Sequence, residues 1–134
     1  MKPRLLPWLV VAGWVCSGCV YYNTFFNARQ TYREAEEQQQ RSGVEVATGA
    51  VAQKYSEAVK KASKVLQNHP KSKYADDAIL LIGKAFYNTG EYARAKEKFI
   101  ELATVFRESP LIPESHYYVG MCEYQLGNAE KALW

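Results

Sequence analysis

Four residues of this chain return at a fixed interval: Gly83, Tyr87, Gly90 and Ala95 reappear 37 positions later as Gly120, Tyr124, Gly127 and Ala132. The same step backwards pairs Tyr92, Ala95 and Leu102 with Tyr55, Ala58 and Val65. A period between about 20 and 50 residues marks a stacked array of supersecondary units. Each unit buries its apolar face only against a neighbour. Within the units the spacing is helical. Apolar or small residues recur at Phe25, Ala28, Tyr32 and Ala35, then at Val51, Tyr55, Ala58, Ala62 and Val65. They continue at Ala75, Ala78, Ile79, Ile82, Ala85 and Phe86, and at Tyr92, Ala95, Phe99, Leu102 and Phe106. Steps of three and four put one buried stripe on each helix, and no stretch alternates with the period of a strand. The expected fold class is all-α.

Breaks fall at Ser42-Gly43, His69-Pro70, Thr89-Gly90, Ser109-Pro110 and Leu126-Gly127. Ser72 and Ser109 stand where N-caps belong, and Asp76 and Asp77 suit the positive end of the helix that follows. His69 falls at a helix C-terminus, where capping is its expected role. The Glu-Gln stretch closed by Arg41 is expected to fray or point outward.

The run Ile79-x-x-Ile82-Gly83-x-x-Phe86-x-x-x-Gly90-x-Tyr92-x-x-Ala95-x-x-x-Phe99-x-x-Leu102 resembles a tetratricopeptide repeat. In that resemblance Gly83 and Ala95 let two helices approach, Gly90 turns the chain between them, and Tyr92 and Phe99 plug the space against the next helix. It implies antiparallel helix pairs stacked as a right-handed solenoid: a degenerate repeat over about 24–68, a clear one over 73–109 and a truncated one over 110–134. The last copy departs at Glu123, where an aromatic is expected, and at Ala129, where Tyr is expected. In this family the first helix of each repeat lines a concave groove. Carried over, the groove positions are Asp77, Leu80, Lys84, Tyr87 and Asn88, then Glu114, Tyr117, Met121, Tyr124 and Gln125. Leu80, Tyr117 and Met121 equally suit packing between repeats.

The N-terminus carries a separate message. Met1-Lys2-Pro3-Arg4 is basic, Leu5 to Val15 is apolar, and small residues follow. This is the pattern of a cleaved signal peptide. The apolar run is shorter than the roughly 20 residues of a membrane span, and Pro7 and Gly13 make it a poor permanent helix. Ser17-Gly18-Cys19 resembles a lipobox, the recognition motif of bacterial lipoprotein processing, with Cys16 in place of the usual aliphatic residue. The resemblance implies cleavage between Gly18 and Cys19, with residues 1–18 removed and a lipidated tether over 19–23. Cys19 would carry a thioether-linked diacylglycerol and an N-acyl chain, including palmitate-type acyl groups, and more than one chain makes the anchoring stable. Val20, rather than Asp, after the cysteine favours the outer membrane.

Removing residues 1–18 leaves 116 of the 134, enough for one ordinary domain. Two of the 17 basic residues leave with that segment, so 15 face 14 acids. Near-neutrality gives no warrant for nucleic-acid binding. Cys122 is then the remaining free thiol; it matches Ala85 in the repeat and is expected to be small and buried rather than nucleophilic. No phosphate loop or metal motif is present, and His69 and His116 lack neighbours at ligand spacing, so no enzyme, metal, cofactor or small-molecule substrate is expected. Lys54, Lys60, Lys61, Lys64, Lys71 and Lys73 suit either a solvated face or contact with anionic headgroups.

Lipobox and long repeats together resemble the BamD-like family, the helical lipoproteins of the outer-membrane protein assembly machine. They equally resemble Tol-Pal-associated, peptidoglycan-associated and pilotin-like lipoproteins. The resemblance implies an interaction scaffold on the periplasmic face of the outer membrane that binds an envelope protein, or a structural lipoprotein with no peptide groove. Ala132-Leu133-Trp134 ends inside a repeat helix without a polar cap, which suggests a longer repeat protein or a covered end, with fraying beyond Gly127.

Overall fold

The computed structural model describes the backbone of residues 6–128 and the side chains of residues 23–128. The described residues form five helices: α1 (Leu6–Ser42), α2 (Gly49–Asn68), α3 (Ala75–Asn88), α4 (Tyr92–Val105) and α5 (Ile112–Gln125). Neighbours in sequence pack against each other, α1 on α2, α2 on α3, α3 on α4 and α4 on α5. The result is an all-helical stack of the tetratricopeptide type. Ala129 to Trp134, and with them the expected fraying and uncapped end, lie outside the described residues.

The apolar stripes read from the sequence become the core. Phe25, Ala28, Tyr32, Ala35, Tyr55, Ala58, Ala62, Val65, Ala95, Phe99 and Leu102 are all buried. Val51, Tyr92 and Phe106 pack against that core half-buried. Helix α3 is buried on more than one side, from Ala78 through Ile82 to Phe86, because it lies between α2 and α4 and also touches α1 and α5. The α3–α4 approach is close. A Cβ on Gly83 would stand 2.7 Å from the Phe99 ring, and Phe99 is itself stacked on Tyr118 of α5 with centroids 4.9 Å apart. The expected roles of Gly83 and Phe99 are thus met in one contact. Gly90 turns the chain at φ +77°, a left-handed value that costs glycine little.

Two local expectations are corrected. Helix α1 runs unbroken from Leu6, past Pro7 and Gly13, residues expected to make a poor helix. Pro7 lies in its first turn, where a missing N–H breaks no helical hydrogen bond. Ser72 and Ser109 are not N-caps: those positions fall to Tyr74 and Leu111. Each serine starts the turn before its helix instead, its hydroxyl accepting from the N–H of Tyr74 or Leu111 two residues on. The Glu-Gln stretch takes one of its two expected courses: it stays helical, and Glu34, Glu37, Gln40 and Arg41 point outward. Helix α1 continues to Ser42, and Gln39 is buried against α2. Its Nε2 donates to the carbonyls of Val44 and Glu45, which holds the α1–α2 connection in place. At Glu123, where the last copy departs from the family's aromatic, the structure has a satisfied polar group: Lys96 Nζ lies 3.1 Å from its carboxylate and Asn128 Nδ2 donates to it at 2.8 Å.

Candidate functional site

Helix α3 touches both α1 and α5, whereas α2 and α4 do not meet. The stack therefore curves with α1, α3 and α5 on its inner side. A groove of about 410 Å³ opens there, lined by Phe25, Arg29, Tyr32, Arg33 and Glu36 of α1, Asp77, Leu80, Leu81 and Lys84 of α3, and Leu111 and Glu114 at the start of α5. Its floor is apolar and its walls carry both signs of charge.

The structure gathers Asp77, Leu80, Lys84 and Glu114 from the sequence-derived set in this groove. Leu80 is buried in its floor. Burial raises the Asp77 carboxyl above its ordinary pKa, as does the neighbouring Asp76, with Arg29 acting in the opposite sense. Lys84 Nζ reaches Glu114 Oε1 at 3.1 Å and stands 5.6 Å from the Tyr118 ring centroid. Burial works against the Lys84 ammonium, but Tyr118 and Glu114 outweigh it and its pKa is raised. One cation and one acid of the groove are thus already matched across α3 and α5, while Arg29 and Arg33 are exposed on the α1 wall.

The remaining members fall elsewhere. Tyr87 is half-buried between Tyr92 and Tyr118, edge-on to both, with centroids 5.3 and 5.5 Å away, and Gln125 hydrogen-bonds its hydroxyl. Tyr117 and Tyr124 are exposed on α5, and Met121 lies half-buried between them along the helix. Asn88 serves the interior. Its Nδ2 donates to the hydroxyls of Tyr32 at 3.0 Å and Tyr55 at 3.1 Å, and Tyr55 donates onward to Gln39 Oε1 at 2.7 Å. The Asn88 carbonyl also accepts from Ala47 N–H at 2.8 Å. One residue of α3 therefore ties α1, α2 and their connection together.

Sequence reasoning missed the α1 wall. Helix α2 starts six residues before the position 37 back from the start of α4, and the connection Gly43–Thr48 is three residues longer than Thr89–Glu91, so a step of 37 back from α3 lands beyond the residues that face the groove. The spacing of Arg29, Tyr32, Arg33 and Glu36 in threes and fours beside the buried stripe was the available signal.

Cys122 is fully buried and unpaired in any disulfide, and burial pushes its thiol up to about 11. His69 is the C-cap residue of α2, its N–H donating to Val65 O. His116 is exposed. Among the described residues no group of His, Cys, Asp or Glu could hold a metal ion, and no helix is long and apolar enough to cross a membrane. Compared with known families, residues 27–132 match the family model YfiO, described as an outer membrane lipoprotein. No curated protein matches the chain.

Proposed function

This chain belongs to the YfiO family of outer membrane lipoproteins, and from that membership we propose that it is a lipid-anchored scaffold that holds an envelope protein in the α1/α3/α5 groove. Cys19 is the anchor in this reading, acylated after cleavage behind Gly18, and the helical stack stands in the periplasm on the outer membrane. Outer-membrane protein assembly is the machine that the BamD-like resemblance brings forward. No catalytic step, metal or cofactor enters the mechanism; the work is recognition.

The observation that carries the reading is the groove itself, with an apolar floor at Leu80, Leu81 and Leu111 under exposed cations at Arg29 and Arg33. Such a surface suits an extended or helical segment with apolar anchors and an acidic flank, because charge complementarity fixes register while the anchors supply affinity. The test compares the full chain with its Arg29→Glu/Arg33→Glu variant in purification from detergent-solubilised membranes. A folded variant that loses the wild-type partner supports the groove. A variant that keeps every co-purifying protein turns the reading toward a structural lipoprotein that uses no groove.

A further inference from the structure

We infer that the end of the helical stack nearest Cys19 is a second membrane contact, in which Lys64, Lys71 and Lys73 sit on anionic phospholipid headgroups beside the anchor. The inference rests on the proposal that Cys19 carries lipid. Its own ground is the placement of the lysines.

Antiparallel packing puts the N-terminal side of α1, the C-terminus of α2 and the N-terminus of α3 at one end of the molecule. Ring contact fixes this: Phe25 of α1 stacks on Tyr74 of the α2–α3 connection with centroids 5.2 Å apart and planes at 14°. Cys19 lies six residues before Phe25 on the same helix, about 9 Å further along its axis. The connection that carries Lys71 and Lys73 is therefore held close to the point where an acyl chain would enter the bilayer. Lys64 is four residues before the end of α2 and points outward. That offset from a bilayer surface is comparable to the Debye length, about 8 Å at physiological salt, so the lysines feel the headgroup charge.

Charge is distributed to match. Lys64, Lys71 and Lys73 are exposed and have no acid within ion-pair distance among the described residues. Lys54 and Lys61, further along α2, are instead paired with Glu34 and Glu57. The neighbouring α4–α5 connection adds Arg107 and Glu108, which offset one another, and Ser109 donates to Asp76, whose carboxylate charge remains at this end. At the opposite end Glu45 is exposed, and Arg41 and Arg94 are paired with Glu37 and Glu91. Lys60, in the middle of α2, is exposed and without an ion pair as well; at the anchored end Lys64, Lys71 and Lys73 outnumber Asp76 and Asp77, the two carboxylates that open α3. Exposed Phe26 on α1 gives that end an apolar contact as well.

Purified full-length lipidated protein, reconstituted into vesicles, would be treated with a water-soluble amine-acylating reagent and read by mass spectrometry. In phosphatidylcholine mixed with phosphatidylglycerol, Lys64, Lys71 and Lys73 should label several-fold more slowly, relative to Lys54, than in phosphatidylcholine alone. About 0.5 M salt should remove the difference. The Lys71→Glu/Lys73→Glu variant, altered in an exposed connection, should lose the protection at Lys64 while remaining vesicle-bound. Equal labelling in both vesicle types on protein that sediments with them overturns this inference alone. Protein that fails to sediment with either vesicle type overturns the lipid anchor, and the inference with it.

Discussion

Several side chains of this molecule have one task each, and changing them separates packing from recognition. Alanine at Gly83 would push its Cβ to within 3.0 Å of three Phe99 ring atoms. That ring is clamped on Tyr118 and cannot retreat cheaply, so Gly83→Ala should destabilise the fold by about 1–3 kcal/mol in chemical denaturation. Tyr87 and Tyr124 occupy equivalent repeat positions in different surroundings. Tyr124 is 64% exposed, so its alanine variant should stay within about 0.5 kcal/mol of wild type. Tyr87→Ala removes two edge-on ring contacts and should cost about 1–3 kcal/mol. Equal losses would show that the half-burial of Tyr87 contributes nothing. The Cys122 thiol, pushed up to about 11 by burial, stays protonated in the fold while the unfolded chain ionises earlier. Its contribution is complete below about pH 9 and lost as pH rises through about 11. Burial also raises the Tyr32 and Tyr55 hydroxyls, which adds to the loss at the alkaline end. Urea midpoints should therefore fall above pH 9, and the native thiol should resist disulfide reagents at pH 8 until the chain unfolds.

At the scale of elements, the joints differ in chemistry. Helices α1, α2 and α3 are tied by hydrogen bonds through Tyr32, Gln39, Tyr55 and Asn88, whereas α5 meets its neighbours through the rings of Phe99, Tyr87 and Tyr118 and the ion pairs Lys84–Glu114 and Lys96–Glu123. Asn88→Ala takes a donor from two tyrosine hydroxyls and should cost about 2 kcal/mol or more. Hydrogen exchange should quicken in α1 and α2 rather than in α5; uniform quickening would refute the tie. Most of the helical architecture was legible in advance because burial repeats with the helix period. Tyr55, Phe99 and Leu102 announce themselves by spacing alone. Gln39 did not, because a buried amide among glutamines and glutamates leaves no apolar mark. Ser72 and Ser109 misled because a hydroxyl that supports a preceding turn looks, in sequence, like one that caps a helix. Half of the groove was readable from the clear repeat. The α1 wall was hidden by the earlier start of α2 and the longer α1–α2 connection, which together break the 37-residue step.

For the whole molecule, the proposed anchor at Cys19 would decide where everything else faces. Cys19→Ser should abolish incorporation of labelled palmitate and leave a precursor that keeps residues 1–18; normal incorporation would refute acylation at Cys19. The Asn88 tie has a mechanical consequence too. A curved stack of helices normally behaves as a spring, with compliance shared among its joints. Here the joint at Asn88 resists rotation, because each degree of turn misaligns several donors at once. Under the proposed anchoring, a load applied through a seated partner would meet α1 to α3 as one unit and reach them from α5 through the Lys84–Glu114 and Lys96–Glu123 ion pairs.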